Sequence, residues 1–405
     1  MRLGWGPSGP EDGPPGRRVA VTGIGVVANA GIGPDAFWSG LCRPPASDER
    51  ERRVTDFDPT GWFASKELRR IDRSAQFAVA AAEMAVEDAG TLDPDPARAG
   101  VVMGTGVGGL ATLEAQVLVH RDRGPDRVSP FLIPMMMANS GAGAISIRRG
   151  WRGPCETTVT ACAAGTHAIG NAARLVASGR CQVVIAGGAE AAITPLGVAG
   201  FANMTALSPS GVSRPFDQDR DGFVLGEGSG AMVLEDWDRA VARGARIYAE
   251  VAGAGSTADA YHITAPQPDG SGAVACMELA LADAGLGPQV VGHINAHGTS
   301  TGLNDASEAE AINKVFGTPG PPVTSIKGVT GHSLGAAGAV EAVAVVLTID
   351  RRQLPPTAGT TSLDPAITLD VVTREARTWT PGPVLSNSFG FGGHNGALVI
   401  VPPGD

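Results

Sequence analysis

No apolar run in the chain approaches the ~20 residues a membrane-spanning helix needs. The first residues, Met1 to Arg18, are rich in Gly and Pro and contain acids, so they lack the form of a secretory signal. They are expected to be a disordered lead-in over residues 1–17, and the protein is expected to be cytoplasmic. Cysteine is scarce: Cys42, Cys155, Cys162, Cys181 and Cys276 are odd in number and without paired spacing. That excludes a disulfide framework and fits a reducing compartment. No CxxC occurs, which argues against a structural zinc site. Positive charge is also in deficit, with a net charge of −10, so a general affinity for nucleic acid is disfavoured. What remains is an ordinary globular composition, 43% hydrophobic over 405 residues with 57 glycines. Such a chain is long enough for two domains or one duplicated domain.

Around Cys162 the pattern changes abruptly. The β-branched run Thr158-Val159-Thr160 gives way to Ala161-Cys162-Ala163-Ala164-Gly165. From Gly165 to about Ser178, apolar residues at Ala168, Ile169, Ala172, Leu175 and Val176 form a helical stripe. Cys162 is thus placed where a strand hands over to a helix start. There the dipole and unpaired N–H groups would favour thiolate, making it a candidate nucleophile. The alternative is a buried structural cysteine.

Strands are expected at Arg18–Val27, Gly100–Met103 and Val183–Ala186, with a helix over Ala75–Ala89. From about Arg246 the plan restarts, with strands at Ile247–Ala252, His293–Asn295, Val323–Ile326 and Val384–Asn387. Helical runs at Gly272–Ala284 and Ala336–Ile349 alternate with them. This cadence predicts an α/β fold built by duplication, with halves 18–245 and 246–405. Gly104-Thr105-Gly106-Val107-Gly108-Gly109 matches GxGxxG, but no acid ends a strand about 20 residues on, so close packing in a pocket wall is preferred over a nucleotide site. The run Met135-Met136-Met137 reads as core filler or as lining for a flexible apolar ligand. Lys66, Arg69, Arg70 and Arg73 form a local basic cluster suited to an acidic partner.

Polar residues able to do chemistry gather at later strand ends. His297 follows Asn295-Ala296 and precedes Gly298-Thr299-Ser300-Thr301. Lys327 precedes Gly331-His332, and Asn387-Ser388-Phe389-Gly390-Phe391-Gly392-Gly393 ends another strand in a glycine loop. Histidines in such settings suit hydrogen-bond donation and proton handling near neutral pH. Gly331-His332-Ser333-Leu334-Gly335 also fits a G-x-S-x-G elbow, with Asp364 or Asp370 and then His394 following. Lys327, Gly328 and Gly331 interrupt the strand that an elbow requires. His293 and His297, four apart, would share a strand face, yet no third ligand is evident and no metal is expected.

Taken in this order and at these distances, the motifs of Cys162, His297, Lys327 with His332, and Asn387–Gly393 resemble the β-ketoacyl-acyl-carrier-protein synthase II family. These are the elongating ketosynthases of fatty-acid and type II polyketide assembly. The likeness runs from about Arg18 to Pro402. It implies the thiolase-like fold, two αβαβα halves forming a five-layered core, and an acyltransferase activity: decarboxylative Claisen condensation of a Cys-bound acyl chain with malonyl-ACP. It further implies that Cys162 is the nucleophile, that His297 and His332 bind the malonyl thioester carbonyl, that Lys327 supports His332, and that Glu341 pairs with Lys327.

The same resemblance assigns the oxyanion hole to the N–H groups of Cys162 and Phe391, with Gly390, Phe391 and Gly392 as the gate. Val107, Phe201 and Phe389 would line the acyl pocket, and Thr299 and Thr301 would hold the phosphopantetheine arm. Lys66, Arg69, Arg70 and Arg127 would meet the acyl carrier protein. No bound cofactor is implied; substrates travel on the carrier's phosphopantetheine. The partner would be a second copy in a homodimer or a homologous chain-length factor in a heterodimer. Thr205 and Asp126 stand where basic residues are frequent, and Gly302 where proline is.

Overall fold

The computed structural model describes residues 16–43 and 50–404. The lead-in expected over 1–17 lies outside the described residues up to position 15. Arg17 is held in place, its N–H donating to the Ala177 carbonyl and its guanidinium pairing with Asp236 at 2.7 Å. Among the described residues no helix is long and apolar enough to cross a membrane.

Two similar series of elements follow one another. The first is β1 (Val19–Ala28), α1 (Arg73–Ala89), β2 (Ala99–Gly104), β3 (Cys155–Thr158), α2 (Ala164–Ala177), β4 (Val183–Glu190) and β5 (Gly228–Asp236). The second is β6 (Ala249–Ala258), α3 (Ser271–Asp283), β7 (His293–Asn295), α4 (Gly302–Phe316), β8 (Val323–Thr324), α5 (Ala337–Arg351), β9 (Val384–Gly390) and β10 (His394–Val401). In the first series the strands lie in the order β1-β5-β4-β2-β3, and in the second β6-β10-β9-β7-β8. Directions match too: the first two pairings of each set are antiparallel and the last two parallel. We place the boundary between halves at Ala245, between the end of β5 and the start of β6.

Strands β1 and β4 are buried along their whole length, which explains why they read as unbroken apolar runs and not as alternating patterns. Helix α1 covers the outer face of the first sheet and α3 that of the second, while α2 and α5 pack between the two sheets. This is a thiolase-like, five-layered stack. The middle layer is tight because its residues are small: a β-carbon on Gly165 would lie 2.7 Å from the Ala339 nitrogen. One on Gly338 would lie 2.1 Å from Thr166 Oγ1. Helices α2 and α5 therefore touch backbone to backbone at their starts, and this contact sets the site.

Three details differ from the sequence expectations. The two sheets stack as expected, but β1 and β6 also hydrogen-bond at Ala20/Glu250 and Val21/Ala249, joining all strands into one continuous sheet. Strand β8 stops at Thr324 because Lys327–Thr330 coils into a short helix. The methionine run is not core: half-buried Met135 and Met136 end the short helix Leu132–Met136, Met135 lines a surface depression, and Met137, which caps the helix, is 44% exposed.

Candidate active site

Cys162 and His332 lie in corresponding connections, each between a parallel edge strand and a central helix, with Gly335 at the turn position that matches Cys162 and His332 three residues ahead of it. Both turns contain a non-glycine residue in left-handed backbone, Ala161 at φ 49° and Leu334 at φ 47°. Such residues cost about 1–3 kcal/mol and persist only where packing enforces them. Because α2 and α5 meet at their starts, the two turns converge, and Cys162 Sγ lies 3.0 Å from His332 Nε2. His297 follows β7, and its ring stands edge-on to that of His332 with centroids 5.2 Å apart. The sulfur and one nitrogen of each ring all lie within 4.8 Å of one another. A metal ion on these three atoms would block the thiol, so metal binding and thiol chemistry exclude each other here.

Surrounding groups fix each ring. The N–H groups of His297 and Gly298 both donate to Glu308, each at 2.7 Å. Lys327 is fully buried, donates to the His297 carbonyl and to Glu341, and faces His297 Nδ1 at 3.3 Å. An ammonium at Nδ1 holds the ring proton on Nε2, so His297 presents an N–H donor toward the sulfur. His332 is pinned by main-chain bonds to Val224 and Gly226 and by the edge of Phe223, with ring centroids 5.2 Å apart. Burial holds both histidines well below the usual imidazole range, with Lys327 acting in the same direction. Both rings are therefore neutral at pH 7. Burial pushes the Glu341 carboxyl up, and the Lys327 ammonium pulls it back.

The sulfur departs from expectation. Burial pushes the Cys162 thiol up to about 11, outweighing the Phe391 N–H and Lys327, which favour thiolate, while Glu190 adds to the rise. Burial outweighs the helix-start effect here: Cys162 sits in the 3₁₀ turn Ala161–Ala163, ahead of α2, and is buried. The resting group is a thiol, and with the His332 ring proton on Nδ1 its S–H donates to Nε2.

The N–H groups of Phe391 and Cys162 both reach Sγ. Gly390 lies against the cysteine turn, where a β-carbon would come 3.0 Å from the Cys162 nitrogen. Gly392 is exposed and donates to the Ile263 carbonyl at 2.7 Å. Cys162 belongs to a small apolar cluster with Ile193, Phe223, Leu225 and Leu334, against which Phe201 and Leu207 pack. Phe389 sits edge-on to His297 at 6.1 Å. Thr299 and Thr301 share a hydrogen bond of 3.0 Å, and Thr301 caps α4.

Several expectations are corrected. Lys327 acts on His332 through its charge, as the resemblance implied, and in addition contacts His297 directly. Val107 is 47% exposed and outside the cluster around Cys162. His293 and His297 do not share a face, because β7 ends at Asn295; His293 instead bonds Thr324 Oγ1 at 2.9 Å. The GxGxxG loop has its N–H groups at Gly106 and Val107 filled by Glu190. Ser333 follows a short helix and not a strand, while Asp364 and Asp370 pair with Arg220 and Arg377. Lys66, Arg69, Arg70 and Arg127 are exposed. Arg70 lies over the Phe131 ring at 4.6 Å, and Arg69 lines a depression of about 320 Å³ with Gln116 and Ser129, so the two basic segments share one face. Arg73 lines the same depression, with its guanidinium paired to buried Glu227. Sequence reasoning missed Glu308 and Glu190. The only signal for Glu308 was its place, two turns into the helix that follows the His297 motif.

A thiolase-like stack with one thiol and two neutral imidazoles at the junction of its halves defines an acyl-transferring condensing enzyme. The family model for the beta-ketoacyl synthase N-terminal domain matches residues 43–240, and that for its C-terminal domain matches 248–361. This chain belongs to the beta-ketoacyl synthase family. It is 48% identical over 408 residues to 3-oxoacyl-[acyl-carrier-protein] synthase 2 of Synechocystis, covering 95% of this chain and 98% of that one. The ishigamide ketosynthase/chain length factor superposes with a TM-score of 0.89 at 36% identity, covering 96% and 100% of the two chains. A type II polyketide ketosynthase in complex with its acyl-carrier protein, AntDE:AntF, gives 0.88 at 33% identity, covering 96% and 100%.

Proposed function

We propose that this chain is a β-ketoacyl-acyl-carrier-protein synthase that joins a Cys162-bound acyl chain to malonyl carrier protein with loss of CO2. The observation that carries the reading is the 3.0 Å contact between Cys162 Sγ and His332 Nε2, with His297 closing the same space. In the first step Sγ attacks the acyl thioester while its proton passes to His332 Nε2. That proton then leaves with the carrier's phosphopantetheine thiol. The oxygen of the tetrahedral intermediate falls to the Cys162 and Phe391 N–H groups, and a donor so placed contributes about 3–4 kcal/mol.

In the second step malonyl thioester occupies the space beside the histidines. Its carbonyl oxygen accepts from His297 Nε2–H and from His332 after its ring proton, left on Nδ1 by the first step, has been exchanged for one on Nε2, so the negative charge left by departing CO2 rests on that oxygen. The carbanion attacks the acyl carbonyl, the C–S bond breaks, and the released Cys162 thiolate takes from solvent, as the product leaves, the one proton that the overall reaction consumes. Neutral imidazoles suit this work because no proton is removed from carbon.

Phe201, Phe389 and the cluster around Cys162 would receive the chain. Thr299 and Thr301 would hold the phosphopantetheine arm, and Lys66, Arg69, Arg70 and Arg127 the acidic carrier. The enzyme would work in the cytoplasm without a bound cofactor. A second subunit fits the edge of β3: that strand ends the sheet, and Val107, Ile133 and Val159 are exposed. The likeness to ketosynthase/chain-length-factor assemblies supports a second reading, in which that subunit is a chain-length factor in specialised metabolism.

Intact-protein mass spectrometry after exposure to a ladder of acyl carrier-protein thioesters tests the assignment. A single acyl adduct, mapped to Cys162 and absent in Cys162→Ala, is expected. An adduct on Ser333, or none, overturns it.

A further inference from the structure

Glu190, the last residue of β4, is fully buried and has no part in the steps above. Its carboxylate gathers four neutral donors from two loops in opposite halves. Oε2 accepts the N–H of Gly106 at 2.6 Å and of Gly335 at 3.1 Å. Oε1 accepts the Thr105 hydroxyl at 3.0 Å and the Val107 N–H at 3.4 Å. Gly335 lies in the turn Leu334–Ala336, which leads from His332 into α5. The two loops are in backbone contact: a β-carbon on Gly335 would stand 2.1 Å from the Gly106 nitrogen. Leu334, in left-handed backbone, packs in the same cluster as Cys162.

We propose that Glu190 is a positioning residue. By clamping the Thr105–Val107 loop of one half to the Leu334–Ala336 turn of the other, it holds His332 and the Leu334 side of the acyl pocket against Cys162. The strained turn supplies the reason for a clamp, since Leu334 keeps its conformation only where neighbours enforce it. Topology adds a second: β4 corresponds to β9, so Glu190 stands where the other half carries its Phe391 loop. In one half that strand end serves the reacting atoms; in the other a carboxylate seals it. The inference rests on reading Cys162 as the acylated group.

Glu190→Gln in the full chain provides the test, because an amide keeps the shape but turns an NH2 onto N–H donors. Acylation of Cys162 by N-acetylcysteamine thioesters of two lengths should slow at least about tenfold. The ratio between the two lengths should change, and the melting temperature should stay within a few degrees. Iodoacetamide alkylation of Cys162 gives a readout that a merely structural role would not move. The charged or titratable groups facing the sulfur are Glu190, Lys327, His297 and His332. Removing the Glu190 charge should shift that pH profile downward. Thr105→Val deletes one donor and keeps the charge, so it should slow acylation less and leave the profile in place.

Wild-type acylation rates and an unshifted profile in Glu190→Gln overturn the proposal. If that variant does not fold, a wild-type acylation rate in Thr105→Val overturns it. Should the wild type itself take no acyl group at Cys162, the assigned reaction falls instead, and the alkylation profiles still decide the clamp.

Discussion

The pH dependence of Cys162 alkylation separates two physical pictures of this site. If the helix start governed, the sulfur would be ionised near neutrality and alkylation would level off above about pH 8. Burial instead places the thiol at about 11. At pH 7 that is four units, and at 1.36 kcal/mol per unit about 5 kcal/mol separates thiol from free thiolate. Only about one molecule in 10⁴ then carries the anion. The measurement is the iodoacetamide rate at Cys162, followed by peptide mass spectrometry from pH 7 to about 10.5. Exposed Cys42 and Cys155 serve as references in the same sample. The logarithm of the Cys162 rate should climb by about one per pH unit across the range, lagging behind both references. A plateau below pH 9 would refute the burial argument and restore a standing thiolate–imidazolium pair. The climbing profile, in turn, means that acyl transfer draws its thiolate at the moment of attack, with His332 taking the proton.

Other tests reach further from the sulfur. Burial holds His293 at about 3, against 6.5 for an ordinary histidine. The folded-state value is depressed, so its stabilising share is complete above pH 6.5 and lost as the pH falls. Between pH 7 and 4.5 that loss is about 2.7 kcal/mol. Denaturant titrations at the two pH values should show His293→Gln closing on the wild type by that amount; a constant gap would contradict it. At the basic face, Arg69→Glu with Arg70→Glu should raise KM for carrier-borne substrates about three- to tenfold, more at low salt, and leave N-acetylcysteamine thioesters unaffected. Equal losses on both substrate types would move the carrier site elsewhere.

Much of the architecture was legible because the relevant signals are local. The helical stripe from Ala168 to Val176 and the buried run of β1 announce their elements without outside help. The repeated strand–turn–helix cadence announces the duplication. Chemistry was legible where residue type and strand end coincide, as at His297, whereas His332 comes after the short helix that follows β8. What escaped is set by tertiary contact. No sequence spacing shows that Lys327 also reaches His297, or that Glu308 gathers two N–H groups from the preceding loop. The acidity of Cys162 was misread for the same reason: a dipole is a local feature, but the exclusion of water depends on what the other half brings against the turn. His293 was misplaced by two residues of strand length, because β7 ends before His297.

Correspondence between the turns ahead of α2 and α5 has an evolutionary reading. A single ancestral repeat offered one protected corner at the start of its middle helix, and two copies brought two such corners face to face. The first corner holds sulfur; the second keeps glycine at the matching position, Gly335, and receives its imidazole from three residues earlier in the same connection. The scaffold supplies proximity whatever those corners hold, so new chemistry is open to the lineage through exchanges at a few turn positions while the sheets and their layers stay as they are.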